Sequence, residues 1–157
     1  MTRSPKATAK AKGQKLSNFL CFAVYSANLA FGRAYKQLLD GVGLTYTQYI
    51  AMVALSEADE QTVSELGEKL FLESNTLTPI LKKLQQTGYV SRIRDPADER
   101  QVRVSLTAAG RRLLENDPGE QLVEACGLGD ELSAVQKKVV RLRDNLLRDT
   151  RDKQRQH

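Results

Sequence analysis

At 157 residues, 41% apolar and 27% charged, the chain suits a single domain with a real hydrophobic core. Two cysteines and one histidine, the terminal His157, leave no cluster for a zinc site and no serine or cysteine triad, so no metal or cofactor is expected and most enzyme readings are weakened. No apolar run reaches the length of a membrane helix, and the lysine-bearing N-terminus lacks the apolar stretch of a signal peptide, so a cytoplasmic location is expected.

The net charge of +5 is concentrated in residues 1–15, where Arg3, Lys6, Lys10, Lys12 and Lys15 meet no acid. Without those five, nineteen bases balance nineteen acids, so bulk charge is weak evidence for a nucleic-acid partner. The segment reads as a disordered basic tail or as a sequence-independent contact to DNA.

Apolar residues from Leu16 to Leu39 fall at helical spacing and predict one long helix, stopped by Gly41 and Gly43. Thr45 and Gln48 form a capping box for a second helix to about Leu55, and Thr62 and Glu65 open a short third one, Val63 to Leu70. After the connection Phe71 to Glu73, a fourth helix runs to about Thr87 and is closed by Gly88. The period then changes. Tyr89 to Arg94 and Gln101 to Leu106 read as the strands of a hairpin around the charged turn 95–100. Thr107 caps a helix heading for Asp117-Pro118-Gly119, where it is kinked or interrupted before continuing to Ala125. Cys126-Gly127-Leu128-Gly129 reads as flexible. Ser133 is the expected cap of a last helix with an apolar stripe from Val135 to Leu147.

Three helices followed by a hairpin is the order of a winged helix-turn-helix, a mainly α fold with a small β-hairpin. In such a module the second helix of the turn enters the major groove, which makes Ser74, Asn75, Thr76 and Thr78 the candidate readers. Helix capping is the competing role for the first three. Lys82 and Lys83 are placed to reach phosphates. Pro79 sits in the first turns or marks the real helix start near Thr78. At the hairpin tip, Arg100 either enters a minor groove, its guanidinium held by Asp98, or is an ordinary solvated charge.

The stretch LGEKLFLESNTLTPILKKLQQTGYVSRIRDPADERQVRVSLTAAG, Leu66 to Gly110, resembles the DNA-binding lobe of MarR-family regulators, with Asp98-Glu99-Arg100 and Val102, Val104, Leu106-Thr107 matching that family's wing. The resemblance extends over roughly residues 16–150. It implies a single domain over 16–157, with a DNA-binding lobe at 45–107 and dimerisation helices at 16–44 and 108–157. It also implies a homodimer on a pseudopalindromic operator in double-stranded DNA.

Within that family, FLCFAVYSANLAFGRAYKQLL followed by GLTYTQY resembles the organic hydroperoxide-sensing (OhrR-like) branch. That resemblance implies a redox-sensing Cys21, a thiolate and peroxide pocket from Tyr35 and Tyr46 with Tyr25 nearby, and a resolving Cys126. The chemistry is apt, since a thiolate is the nucleophile toward peroxide and tyrosine hydroxyls can stabilise it. Phe19 and Phe22 suit an organic tail. Tyr35 lies 14 residues beyond Cys21, about 21 Å along one helix, so any contact between them comes from another subunit. Tyr25, four residues on, can lie beside Cys21. Oxidation to a sulfenic acid and condensation with Cys126 of the other subunit would release the repressor. Burial as inert small residues is the other role open to each cysteine. Three alternatives stand beside this one: a MarR-type regulator answering a phenolic ligand or another oxidant such as hypochlorite, a thiol peroxidase, and an architectural DNA binder.

Overall fold

Leu39 and Leu44 mark where the chain enters its core. The computed structural model describes residues 15–155, so the expected basic tail, apart from Lys15, lies outside the described residues. Helix α1 spans Leu20–Leu39, and of its twenty residues only Leu39 is buried. A 3-10 turn, Asp40–Val42, and Gly43 in the left-handed region at φ 67° turn the chain into α2, Tyr46–Glu57. The capping box expected at Thr45 and Gln48 is formed in both directions, as is the one at Thr62 and Glu65 that starts α3, Val63–Leu70. Each satisfies amide groups that a helix start otherwise leaves without partners.

Helix α4, Ser74–Gln86, buries Leu77, Leu81 and Leu84 on one stripe. They join Met52, Leu55, Leu66, Val90, Val104 and Leu106 in one core. Strands β2, Val90–Arg94, and β3, Val102–Leu106, pair antiparallel with Arg92 opposite Val104. The hairpin carries a third strand that sequence reading did not foresee: β1, Gln61–Thr62, pairs with β3, giving the order β1-β3-β2. Two residues are too short to leave an alternating pattern, and the pairing partners lie some forty positions away.

Helix α5, Ala108–Glu115, is capped by Thr107, whose hydroxyl accepts from the Gly110 amide. Gly110 is buried where α5 crosses the chain at Tyr89, and a Cβ there would meet the Tyr89 carbonyl oxygen at 2.3 Å. The chain breaks at Asp117-Pro118-Gly119, resumes as α6, Glu120–Ala125, and ends in α7, Leu132–Arg155.

Two helix starts and two strand ends differ from expectation. Leu16–Asn18 form a separate 3-10 turn and Phe19 is extended, so α1 begins at Leu20 and not at Leu16. Ser17 and Asn18 favour local turns over helix interiors, which accounts for the break. Ser133 does not cap α7: a 3-10 turn at Gly129–Glu131 runs straight into a helix that starts one residue earlier. Tyr89 and Gln101 lie just outside the strands; the Tyr89 amide still bonds the Leu84 carbonyl, and Gln101 closes the hairpin turn through Asp95 and Asp98.

The core belongs to the lobe built from α2 to β3. Apolar side chains on α1 and α7 find little cover there: Leu20 is 63% and Leu146 60% exposed, with Val24, Tyr25, Phe31 and Val139 also open. Among the described residues, the Arg143 guanidinium of α7 lies 4.6 Å from the centre of the Phe71 ring in the lobe, a cation–π geometry. Phe71 forms the turn between α3 and α4 in the left-handed region at φ 57°. No single helix among the described residues is long and apolar enough to cross a membrane.

Candidate DNA-reading face and thiol site

Most of the side chains expected to read DNA sit in the first turns of α4. Glu73 is the N-cap of α4 and makes no side-chain cap bond, so Ser74, Asn75 and Thr76 are not spent on capping. All three are exposed in the first turn. Thr78 is half-buried and donates its hydroxyl to the Ser74 carbonyl at 2.7 Å, which leaves it only acceptor capacity. Pro79 lies inside the helix, so the helix does not begin at Thr78. Lacking an N–H, it leaves the Asn75 carbonyl without its usual intrahelical donor. Lys82 and Lys83 point outward, opposite the stripe of Leu77, Leu81 and Leu84.

The wing turn is held by carboxylates. Buried Asp95 accepts from the Ala97 amide at 2.9 Å and from Arg103 Nε at 2.6 Å, which together hold its carboxyl below the ordinary range. Asp98 accepts from the Arg100 amide at 3.1 Å, whereas the Arg100 guanidinium is 3.9 Å away. Asp98 therefore shapes the backbone of the tip rather than gripping the side chain, which projects 95% exposed. Sequence reading had given Asp98 the second role. Asp95, Arg103 and their shared frame it had missed, because a carboxylate in a charged turn looks solvated until its partner strand is in place.

The thiol-site residues fall into two groups on one chain. Near the start of α1, Cys21 is exposed in the first turn, Phe19 is the N-cap, and Phe22 and Tyr25 place their rings 6.3 Å apart. At the far end of the same helix, Tyr35 stacks on Tyr46 at 4.5 Å and on Tyr49 at 5.6 Å. The structure does not bring Cys21 to Tyr35 or Tyr46 within a chain, as expected from about 1.5 Å of rise per residue. Cys126, half-buried as the C-cap of α6, belongs to the second group.

The second group contains two residues that sequence reading passed over. Tyr49 donates its hydroxyl to Asp117 Oδ1 at 2.8 Å, and the Gly119 amide donates to the same oxygen at 2.9 Å. Burial and the bond to Asp117 push the Tyr49 hydroxyl well up from its ordinary value. Burial first, then the neighbouring Tyr46, Asp117 and Cys126, raise Tyr35 as well. Both phenols thus stay protonated and able to donate. Tyr49 reads as an apolar core position in α2 and Asp117 as part of a turn; neither carries a local signal of the other.

Among the described residues, no group of three or more histidine, cysteine or carboxylate side chains is arranged to hold a metal ion. Comparison with known proteins places this architecture. A family profile described as transcriptional regulator SarA/Rot matches residues 33–116. The organic hydroperoxide resistance transcriptional regulator of Bacillus subtilis (strain 168) is 39% identical over 84% of this chain and 92% of its own length. The HTH-type transcriptional regulator TtmR of Methylorubrum extorquens (strain PA1) is 51% identical over 68% of this chain, which spans only 54% of that protein. Reduced AbfR bound to DNA superposes with a TM-score of 0.70 at 35% identity, covering 84% of this chain and 96% of the other. AbfR has also been solved in an overoxidised form on DNA and in a disulfide-bonded form. The family and these relatives are regulators of transcription and not enzymes, and the chain belongs to the SarA/Rot-type, MarR-like winged-helix transcriptional regulators.

Proposed function

We propose that this regulator represses as a homodimer on a pseudopalindromic operator and is released when an organic hydroperoxide oxidises Cys21, with Cys126 of the other subunit as the resolving thiol. The observation that carries the reading is the division of the thiol site along α1. An exposed cysteine stands at one end and a tyrosine cluster beside a second cysteine at the other, on a helix whose apolar face is open. Two copies laid antiparallel along α1 would bring each Cys21 to the partner's Tyr35 and Tyr46 and cover Leu20, Val24 and Phe31. The likeness to a hydroperoxide-resistance regulator and to AbfR, solved in several oxidation states, supports the same reading.

The chemistry balances. The Cys21 thiolate attacks one peroxide oxygen, the O–O bond breaks, and the alkoxide takes a proton and leaves as the alcohol, so sulfur loses two electrons and the peroxide gains them. A phenol O–H aimed at the departing alkoxide oxygen assists its departure. The Cys126 thiolate then attacks the sulfenic sulfur; an S–S bond forms and hydroxide leaves, protonated, as water. On the DNA side, Asn75 with Ser74, Thr76 and Thr78 reads bases, Lys82 and Lys83 hold phosphates, and Arg100 enters the adjacent minor groove.

The test is binding to the DNA upstream of the protein's own gene, before and after one equivalent of cumene hydroperoxide, for wild type, Cys21→Ser and Cys126→Ser. Release of wild type with retention of Cys21→Ser is expected. Release of both would show that the hydroperoxide acts through a group other than this thiol, and a wild type that stays bound would leave a regulator answering a different signal, such as a phenolic ligand or another oxidant.

A further inference from the structure

The segment 117–126 carries Cys126, and it is docked at three points. Asp117 Oδ1 accepts from the Tyr49 hydroxyl of α2 at 2.8 Å, a tertiary bond across 68 positions. Gly119 lies so close that a Cβ there would stand 3.0 Å from the Tyr49 oxygen and 3.3 Å from the Tyr35 oxygen. Leu122 is buried, and the Cys126 amide bonds its carbonyl at 3.0 Å. Beyond this point the support ends, with Gly127 and Gly129 both in the left-handed region at φ 64° and 48°.

We infer that the Tyr49–Asp117 hydrogen bond is a positioning latch, holding α6 and its terminal Cys126 against the tyrosine cluster so that the second thiol is in place when Cys21 of the other subunit is oxidised. This rests on the sensing reading above and adds to it the residues that set the speed of its second step. Neither Tyr49 nor Asp117 meets the peroxide; they act through the placement of Cys126. With the latch intact, the sulfenic acid is closed to a disulfide before more peroxide arrives. Without it, the packing of Gly119 and Leu122 is left to hold α6, the segment leaves the cluster more often, and the sulfenic acid persists and passes to sulfinic acid.

The experiment is rapid-mixing of full-length protein with cumene hydroperoxide, following loss of the Cys21 thiol, capture of sulfenic acid by dimedone, and the cross-linked dimer on non-reducing gels. Tyr49→Phe keeps the ring and removes the donor; Asp117→Ala removes the acceptor; Asp117→Asn keeps an oxygen that accepts both bonds. In Tyr49→Phe and Asp117→Ala the thiol is lost at the wild-type rate, closure slows by about fivefold, as the net worth of one hydrogen bond implies, and sulfinic acid builds up. Asp117→Asn stays near wild type, which a general loss of packing would not produce. The latch is overturned if wild type closes a Cys21–Cys126 bond and Tyr49→Phe and Asp117→Ala close it as fast or faster. If wild type forms no such bond with peroxide, the sensing reading itself falls and the latch with it.

Discussion

Gly110→Ala is the sharpest test of how the DNA-reading lobe is joined to the helices that follow it. Taken alone, α5 should welcome the change, since alanine is the better helix former by ~1 kcal/mol. The crossing forbids it: the new Cβ would lie 2.3 Å from the Tyr89 carbonyl oxygen and 3.1 Å from a methyl carbon of Leu106. That carbonyl is pinned, because it accepts from the Thr107 amide at 3.0 Å, and the Thr107 hydroxyl donates to Gly88 at 2.6 Å. The helix must therefore move outward by about 1 Å, at an overpacking cost of ~1–3 kcal/mol. It would also give up roughly 1 kcal/mol for each hydrogen bond it strains. Net destabilisation of about 2–3 kcal/mol should lower the urea midpoint by ~1–2 M, measured at one fixed protein concentration because a dimer's stability depends on it. Arg112→Ala, exposed on the same helix, serves as the control and should stay within about 0.5 kcal/mol. A Gly110→Ala protein as stable as wild type would refute the close crossing.

Acid should weaken the wing. Asp95 and Glu65 have carboxyls lowered from the ordinary 3.8 and 4.5, Asp95 through the Ala97 amide and Arg103, Glu65 through Thr62. The unfolded chain takes up those protons first, so their contribution is complete above the ordinary values and fades as the pH falls through the lowered ones. Unfolding followed from pH 6 to pH 3, an interval of roughly three units around those carboxyls, should show this loss, and Asp95→Asn should flatten part of it. For DNA, Lys82→Ala should weaken binding about equally on all sequences and reduce the salt slope by about one. Asn75→Ala should cost ~1–3 kcal/mol on the operator and relax base preference at one position. Arg100→Ala should leave the fold intact, its side chain being almost fully exposed, and lose affinity most where the minor groove is narrow. Fluorescence anisotropy with operator and random duplexes at several salt concentrations separates the three.

Local chemistry made most of the elements legible. The capping boxes at Thr45 and Thr62, the stop at Gly88 and the alternation through Val102, Val104 and Leu106 are each written within a few residues of where they act. What stayed hidden depends on partners distant in sequence: β1 against β3, Tyr49 against Asp117, Asp95 under Arg103. Phe71 is the sharpest case. A left-handed turn residue is ordinarily glycine, so an aromatic gave no sign of the turn, and its stacking under Arg143 lies 72 positions away in the chain. The candidate site divided along the same line. Cys21, Tyr35 and Tyr46 were found through resemblance, whereas the bond that fixes the Cys126 segment is a matter of tertiary placement.

Arg103 joins three things at one residue. Its backbone pairs with Thr62, the cap of α3; its Nε holds Asp95 at the base of the wing turn; and its guanidinium reaches the Glu60 carbonyl at 3.0 Å. The start of α3 and the root of the hairpin are therefore bolted together, which limits how far the wing can swing against the helix pair. On the DNA contacts proposed above, the side chains at either end are free to change, whereas a half-site read by both has to keep the spacing that this joint sets.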